Sequence, residues 1–342
     1  MEIPDQTGYK AGCLVVLQFA RLSESLHAME SSGLAPQLTV GLIVGELRER
    51  AERSLRHILA QTALERMEVI VVDVSRGGSF AGSDHPKVRY LHRPQFRFYC
   101  EAQIEAVRQA RSQVIAFLED HTYAEPQWAE AILETMGNPR VAAVNYTFTN
   151  ASDAGYLGRS ILMAEYGHWM APHPGGRVRI SSSTNVAYRR ELLLATMGDD
   201  ESIFEAEFLI HREIQKSGGE IHVASRATVA HESWGTLKAA CQANGAYKRV
   251  LGARRAESGN WGKGRRLIWG LGMVLMPGLS IARLAAAMYR RPALWGRLIS
   301  SVPVLMAIYT YCAWSEALGY LRGAGASREE FLARELAVQR HG

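Results

Sequence analysis

Val114-Ile-Ala-Phe-Leu-Glu-Asp-His121 places five apolar residues directly before two acids and an imidazole. A short apolar run of this kind reads as a strand buried on both faces of a parallel sheet, with its polar residues at the carboxyl end. The flanking sequence agrees. Upstream, Leu38-Thr-Val-Gly-Leu-Ile-Val44 is a second apolar run, Ala51, Leu55, Ile58, Leu59 and Thr62 repeat at helical spacing, and Glu68-Val-Ile-Val-Val-Asp73 is a third run, ending on a carboxylate. Together these form one β-α-β unit. Next come a loop marked by Gly77, Gly78 and Gly82, a short strand at Val88 to Leu91, and a helix over Glu101 to Arg111 with Ile104, Val107 and Ala110 on one face. Downstream, Pro126 opens a helix carrying Trp128, Ala129, Ile132, Leu133 and Met136, and Val141 to Phe148 is the next strand. Ligands of open parallel sheets bind beyond the carboxyl ends of the strands, so Asp73 and the Glu119-Asp120-His121 triplet are predicted to share that rim.

The second half is less regular. Ser181-Ser-Ser-Thr-Asn-Val-Ala-Tyr-Arg-Arg190 precedes a helix near Glu205 to Lys216, which Gly218-Gly219 ends, and strands at Glu220 to Ala224 and Ala227 to Ala230 lead to His231. Carboxylates and an imidazole after a buried strand are costly to leave near a core unless they reach solvent, the bland reading, or bind something. His231 offers a third ligand. Mg²⁺ or Mn²⁺ accepts carboxylate oxygens while keeping positions for water or substrate phosphate.

At 342 residues the chain exceeds the usual single-domain length, and 47% hydrophobic with 21% charged residues fits a folded protein rather than a disordered one. Cys13, Cys100, Cys241 and Cys312 form no CxxC pair, which suits neither a disulfide framework nor a structural zinc site and points to a reducing compartment. The net charge of +5 is unevenly spread: Lys248 to Arg297 holds eleven Lys or Arg against the single acid Glu257, so an acidic body carries a basic C-terminal block. Apolar runs, Leu267 to Ala282 and Leu298 to Ser315, interleave with those charges, which favours an anionic membrane surface over nucleic acid. A spanning hairpin would put Arg290, Arg291 and Arg297 on the side opposite the enzyme, against the positive-inside bias. Helices lying in the cytoplasmic membrane interface are therefore expected, with Trp269, Tyr289, Trp295 and Trp314 at that depth; a soluble helical pair packed on the body is the alternative. Arg322 to Gly342 is polar and reads as a short terminal helix.

Strand-then-Asp73, "VIAFLEDH", the "PQW" helix start, "SSSTNVAYRRELL" at Ser181 to Leu193, "FEAEFLIHREIQKSGGEIHVA" at Phe204 to Ala224 and "ATVAH" at Ala227 to His231 occur in one order. In that order they resemble a family 2 glycosyltransferase of the GT-A fold, a divergent, membrane-associated, bacterial-type member. The resemblance implies an α/β fold with a Rossmann-like, mostly parallel mixed sheet flanked by helices. It divides the chain into an N-terminal extension (1–37), a catalytic domain (38–235, with a nucleotide-binding half to 125 and an acceptor half from 126) and a C-terminal helical membrane-associated region (236–342). It implies an inverting transfer from a nucleotide-sugar donor, UDP-linked by expectation, to a glycan or lipid-linked acceptor in envelope polysaccharide synthesis, dependent on Mn²⁺ or Mg²⁺.

By the same resemblance Glu46, Asp73, Glu119, Asn185, Arg189 and Arg249 line the nucleotide-sugar. Asp120, His121 and His231 hold the metal, with the choice among Glu119, Asp120 and His121 left open. Glu205 is the base, with Glu207 beside it and Asp199, Asp200 and Glu201 as fallbacks. The chain departs from the family pattern at Val44-Gly-Glu-Leu47, Asp73-Val-Ser75, His121 and Phe204. These departures keep two alternatives in view: a catalytically inactive scaffold at the membrane, and a nucleotidyltransferase, which would need a Gly-rich phosphate loop after the first strand.

Overall fold

The computed structural model describes residues 35–78, 80–151, 155–197 and 204–337. Nearly all of the expected N-terminal extension, including Cys13, and the fallback bases Asp199, Asp200 and Glu201 lie outside the described residues.

Strands β1 (Leu38–Val44), β2 (Met67–Asp73), β3 (Val88–His92) and β4 (Val114–Glu119) are parallel and lie side by side in the order β3-β2-β1-β4. Every residue of β1 and β4 is buried, because helices cover both faces. On one face Val40, Leu42 and Val44 meet Ala51, Leu55 and Ile58 of α1 (Arg48–Leu59). On the other, Ile43, Ile70 and Val72 meet Ala102, Ile104, Ala106 and Val107 of α2 (Tyr99–Gln109). Unbroken apolar runs rather than alternation are what such two-sided burial demands. The chain runs outward from β1 to β2 and β3, then returns to β4 on the opposite side of β1, so a crevice opens between the carboxyl ends of β1 and β4.

The sheet continues through β8 (Val186–Arg189), which lies antiparallel between β4 and β6 (Val141–Asn150), to β9 (Glu220–His231), parallel to β6. β5 (Thr122–Ala124) and β7 (Gly176–Val178) both pair antiparallel with β9, completing a mixed nine-stranded sheet among the described residues. The two strands expected over 220–230 are one, with a register shift against β6 between Asn145 and Thr147. Exposed Ser225 and Arg226 fall at that irregularity, where a bulge turns side chains off the sheet. Helices α3 (Trp128–Met136), α4 (Gly155–Tyr166), α5 (Arg190–Met197) and α6 (Glu207–Lys216) fill the connections. α4 went unread because its buried Ile161, Leu162 and Met163 are consecutive rather than periodic.

The C-terminal part is helical: α7 (Leu237–Ser258), α8 (Lys263–Gly272), α9 (Met276–Ala287), α10 (Trp295–Arg322) and α11 (Ser327–Ala337). α7 and α10 touch backbone to backbone. A Cβ built on Gly252 would lie 2.4 Å from the Glu316 carbonyl, and one on Gly319 would lie 2.3 Å from that of Arg249. One face of the second apolar segment is core, since Val304, Ile308 and Cys312 of α10 pack with Ile161 of α4 and Ala240 and Ala243 of α7, while Ile299 and Trp314 on the same helix are exposed. α8 and α9 differ. Ile268 (70%) and Leu271 (68%) of α8, Val274 (79%) and Leu275 (72%) of the turn that follows it, and Leu279 of α9 stand exposed, apolar surface that water does not favour. The stretches Lys263–Ala287 and Pro292–Arg322 are each long and apolar enough to cross a membrane.

Candidate active site

β4 carries Glu119 to the rim, the chain reverses at Asp120-His121, and β5 then runs back along β9 with Thr122 opposite His231. That pairing gathers groups far apart in sequence. His121 Nε2 and His231 Nε2 each lie 3.4 Å from Glu119 Oε2. The ligand atoms of Glu119, His121 and His231 all fall within 4.8 Å of one another, and all three residues are buried. α1 pins the turn: Ser54 Oγ donates to the Thr122 carbonyl at 2.8 Å, and Arg50 forms a 2.8 Å ion pair with Asp120. The Glu232 amide, one residue past His231, donates to the His121 carbonyl at 3.0 Å.

Asp120, expected as a ligand, stands one step behind the cluster. Its Oδ1 is 3.0 Å from His121 Nδ1, while the pair with Arg50 balances its charge. A cation at Nε2 would leave the His121 proton on Nδ1, directed to Asp120, the carboxylate–histidine arrangement that orients metal ligands. Glu119, expected on the sugar side, is the carboxylate that faces both imidazoles. Asn185 Nδ2 donates to Glu119 and its Oδ1 accepts from the Glu119 amide at 3.2 Å, while the Tyr166 hydroxyl donates to Glu119 at 3.1 Å. Burial opposes ionisation of Glu119, but His121 and His231 outweigh it and hold the carboxyl well below its ordinary range. One carboxylate and two imidazoles fit Mn²⁺ better than Mg²⁺, which prefers an all-oxygen shell.

At the end of β2, Asp73 is fully buried and accepts hydrogen bonds from Arg48 Nη2 at 2.8 Å, the Ser75 amide at 2.9 Å and the Tyr90 hydroxyl. Arg48 Nη1 is buried without a partner among the described residues, beside the end of β2. Burial raises the Asp73 pKa, yet the bonds from Arg48, Tyr90 and Ser75 together bring it below the ordinary value. A depressed carboxyl stabilises the fold above its unfolded pKa, about 3.9, and that contribution fades as pH falls through the lower folded value. Asp73→Asn is expected to lower stability by roughly 2 kcal/mol at pH 7, with the gap to the parent closing below about pH 4. Urea denaturation at both pH values checks this; an unchanged gap at low pH would show that the loss is not one of charge.

Glu205 lies in a mostly apolar cleft lined by Tyr99, Gln103, Ser183, Thr184, Tyr247 and Phe331, with Arg328 at 3.0 Å and Arg254 at 3.4 Å from its carboxylate. Burial pushes its pKa up, against the pull of those two guanidinium groups. Tyr99 joins this cleft to the cluster: it lines the cleft, and the charges of Glu119, Glu335 and Asp120 act on its hydroxyl. Glu207, in the first turn of α6, takes a hydrogen bond from the Tyr247 hydroxyl. Glu46 sits on the β1 rim, its carboxylate accepting from the Arg76 amide at 3.0 Å.

Two expected residues are not brought to the rim. Arg189 pairs opposite Val114, at the amino end of β4, and binds the carbonyls of Val141, Met136 and Asn138. Arg249 donates from Nε to the Gly323 carbonyl at 3.1 Å, tying α7 to the end of α10. Conversely, Arg50, Tyr99, Tyr166 and Glu335 all bear on the cluster and were not singled out. Tyr166 ends the unread α4, and Glu335 belongs to a polar terminal helix whose sequence carries no sign of its destination.

Residues 45–195 match the family model described as Glycosyl transferase family 2. No curated protein matches the chain. Among solved structures, the chain is similar to GalNAc-T7 with UDP, GalNAc and Mn²⁺, at 14% identity and a TM-score of 0.42 over 57% of this chain and 43% of that one. It thus spans less than half of that protein's length. It is also similar to the mannosyltransferase PcManGT from Pyrobaculum calidifontis in complex with GDP-Man and Mn²⁺, at 15% identity and a TM-score of 0.48 over 92% of this chain and 96% of that one.

Proposed function

Because residues 45–195 match the model of Glycosyl transferase family 2, we propose that the chain transfers a sugar, with inversion, from a nucleotide-sugar donor to a glycan or lipid-linked acceptor at a membrane surface. One observation carries the reading: Glu119, His121 and His231 converge at the end of β4, beside the crevice between β1 and β4. Those three residues hold the divalent cation, Mn²⁺ by the donor set. The cation supplies positive charge against the departing diphosphate. Arg48, oriented by Asp73, offers Nη1 to the nucleotide, so Asp73 acts as a positioning residue rather than by contact. Glu205 takes the proton of the acceptor hydroxyl, which attacks the anomeric carbon from the face opposite the nucleotide.

The purified protein is expected to release nucleoside diphosphate from a UDP- or GDP-sugar only with Mn²⁺ present. Absence of turnover with every donor, together with no change in melting temperature on adding Mn²⁺ and UDP or GDP, would leave the inactive-scaffold reading in its place.

The open apolar face of α8 and α9, flanked by Arg265, Arg266 and Arg283, supports a lipid surface as the place of work. The protein is expected to co-sediment with phosphatidylglycerol vesicles and to be released by the double substitution Ile268→Asp and Leu271→Asp. Equal sedimentation of that variant would place the lipid contact elsewhere.

A further inference from the structure

Helix α11 lies along the whole crevice. An 11-residue helix is about 16 Å long, and each of its turns meets a different part of the proposed site. At its start, Arg328 pairs with Glu205 at 3.0 Å. In its middle, Phe331 fills the cleft against Tyr99 and Tyr247, with ring centroids 5.9 and 5.6 Å apart. Near its end the buried carboxylate of Glu335 reaches 3.9 Å from Nε2 of His121, on the cation cluster. The last turn sits on the β1 rim itself. The Leu336 carbonyl accepts from the Glu46 amide at 3.1 Å, the Glu335 carbonyl accepts from Arg50 at 2.5 Å, and a Cβ on Gly45 would lie 2.3 Å from the Leu336 carbonyl oxygen.

We propose that α11 is an intrasteric plug: Glu335 takes the place of an anionic ligand beside the Glu119–His121–His231 cluster and Leu336 the place of the nucleoside on the β1 rim, so the donor binds only after α11 lifts away. The inference rests on the nucleotide-sugar reading of the site. Space decides it, because the backbone of Leu336 already touches Gly45, leaving no gap between α11 and the strand end where open α/β sheets bind their ligands. The chain is built to let the helix move as a unit. Gly323 (φ 76°) and Gly325 (φ 56°) join α10 to α11 in conformations that side chains rarely adopt. α11 is held by polar contacts, Arg97 to Glu329 at 3.4 Å, Arg328 to Glu205 and Arg334 to Gln242 at 3.1 Å, and by Leu336, Phe331 and Leu332 packing on the core. The exposed Arg97–Glu329 pair exchanges with water at small net loss, and the apolar contacts set the cost that bound donor must offset.

The test compares the whole chain with Leu336→Asp, which sets a charge against the buried rim, and with a chain ended after Arg322, by titrating UDP and then GDP in the presence of Mn²⁺. Circular dichroism verifies that each variant is folded. Both variants are expected to bind the preferred nucleotide at least tenfold tighter than the whole chain. In the whole chain, saturating nucleotide with Mn²⁺ is expected to speed trypsin cleavage at Arg328 and Arg334 severalfold. Equal or weaker binding by Leu336→Asp, or protection of those two sites by nucleotide, would overturn the plug while leaving the donor site standing. The second result would make α11 a cover that closes over bound donor. If neither the whole chain nor either variant binds UDP or GDP, the nucleotide-sugar reading fails and the plug fails with it.

Discussion

His231→Ala is expected to weaken Mn²⁺ binding by on the order of 10²-fold or more and to take sugar transfer down with it. The argument is geometric. The cluster offers a single carboxylate, and His231 Nε2 lies 3.4 Å from the same oxygen that His121 Nε2 approaches, the two rings meeting edge to face at 4.9 Å. Removing one of three protein ligands leaves two, with bound water in place of an imidazole. Asp120→Asn provides the graded control. Asp120 touches His121 at Nδ1 and Arg50 but is not one of the converging three, so its loss should let the His121 ring turn without deleting a ligand. A fall of about 10- to 100-fold in Mn²⁺ affinity is expected there, the range typical of groups that orient a ligand. Mn²⁺ titration followed by electron paramagnetic resonance reads both without relying on turnover. If His231→Ala binds Mn²⁺ as the parent does, the cluster is a buried polar network and not a cation site. If Asp120→Asn proves the more damaging of the two, the carboxylate at the metal is Asp120 and Glu119 holds the structure around it.

How far the sequence reaches can be seen at three strands. β1 and β4 are legible because burial on both faces leaves an apolar run with a sharp polar end, and this fixes position and rim together. β8 is legible as a segment but not in direction. Its antiparallel pairing sends Arg189 to the amino end of β4, while Asn185, just before the strand, lands on Glu119. Side-chain periodicity is the same in both directions, so a residue placed at one end of a short strand can belong to either end of the sheet. The meeting of His121 with His231 depends on the β5–β9 pairing, a long-range contact that resemblance suggested and local pattern could not. α11 is the extreme case: an ordinary charged amphipathic stretch gives no hint that its last turn rests on β1.

Glu205→Gln is expected to lower kcat by about 10² to 10⁴ with little effect on Mn²⁺ affinity, the range a general base contributes. Glu205 is the carboxylate in the cleft that Tyr99 connects to the cation cluster, and Ser183, Thr184 and Gln103 give that cleft polar edges suited to hydroxyl groups. Burial, only partly offset by Arg328 and Arg254, raises its pKa from the ordinary glutamate value toward neutrality, which improves a base working near pH 7. The sign follows: the reaction needs the carboxylate form, so kcat should fall as pH drops through this raised value, and Glu205→Gln should abolish that acid limb while lowering the plateau. Glu207→Gln is the contrast. Its carboxylate is already engaged by the Tyr247 hydroxyl in the first turn of α6, and the loss expected there is under about tenfold in kcat, without change in the acid limb. Activity of Glu205→Gln within fivefold of the parent, or an acid limb that survives in it, would move the proton acceptor to another carboxylate. Glu207 would be the first to examine, because it lies in the same turn of chain and its pKa too is raised, by burial above all.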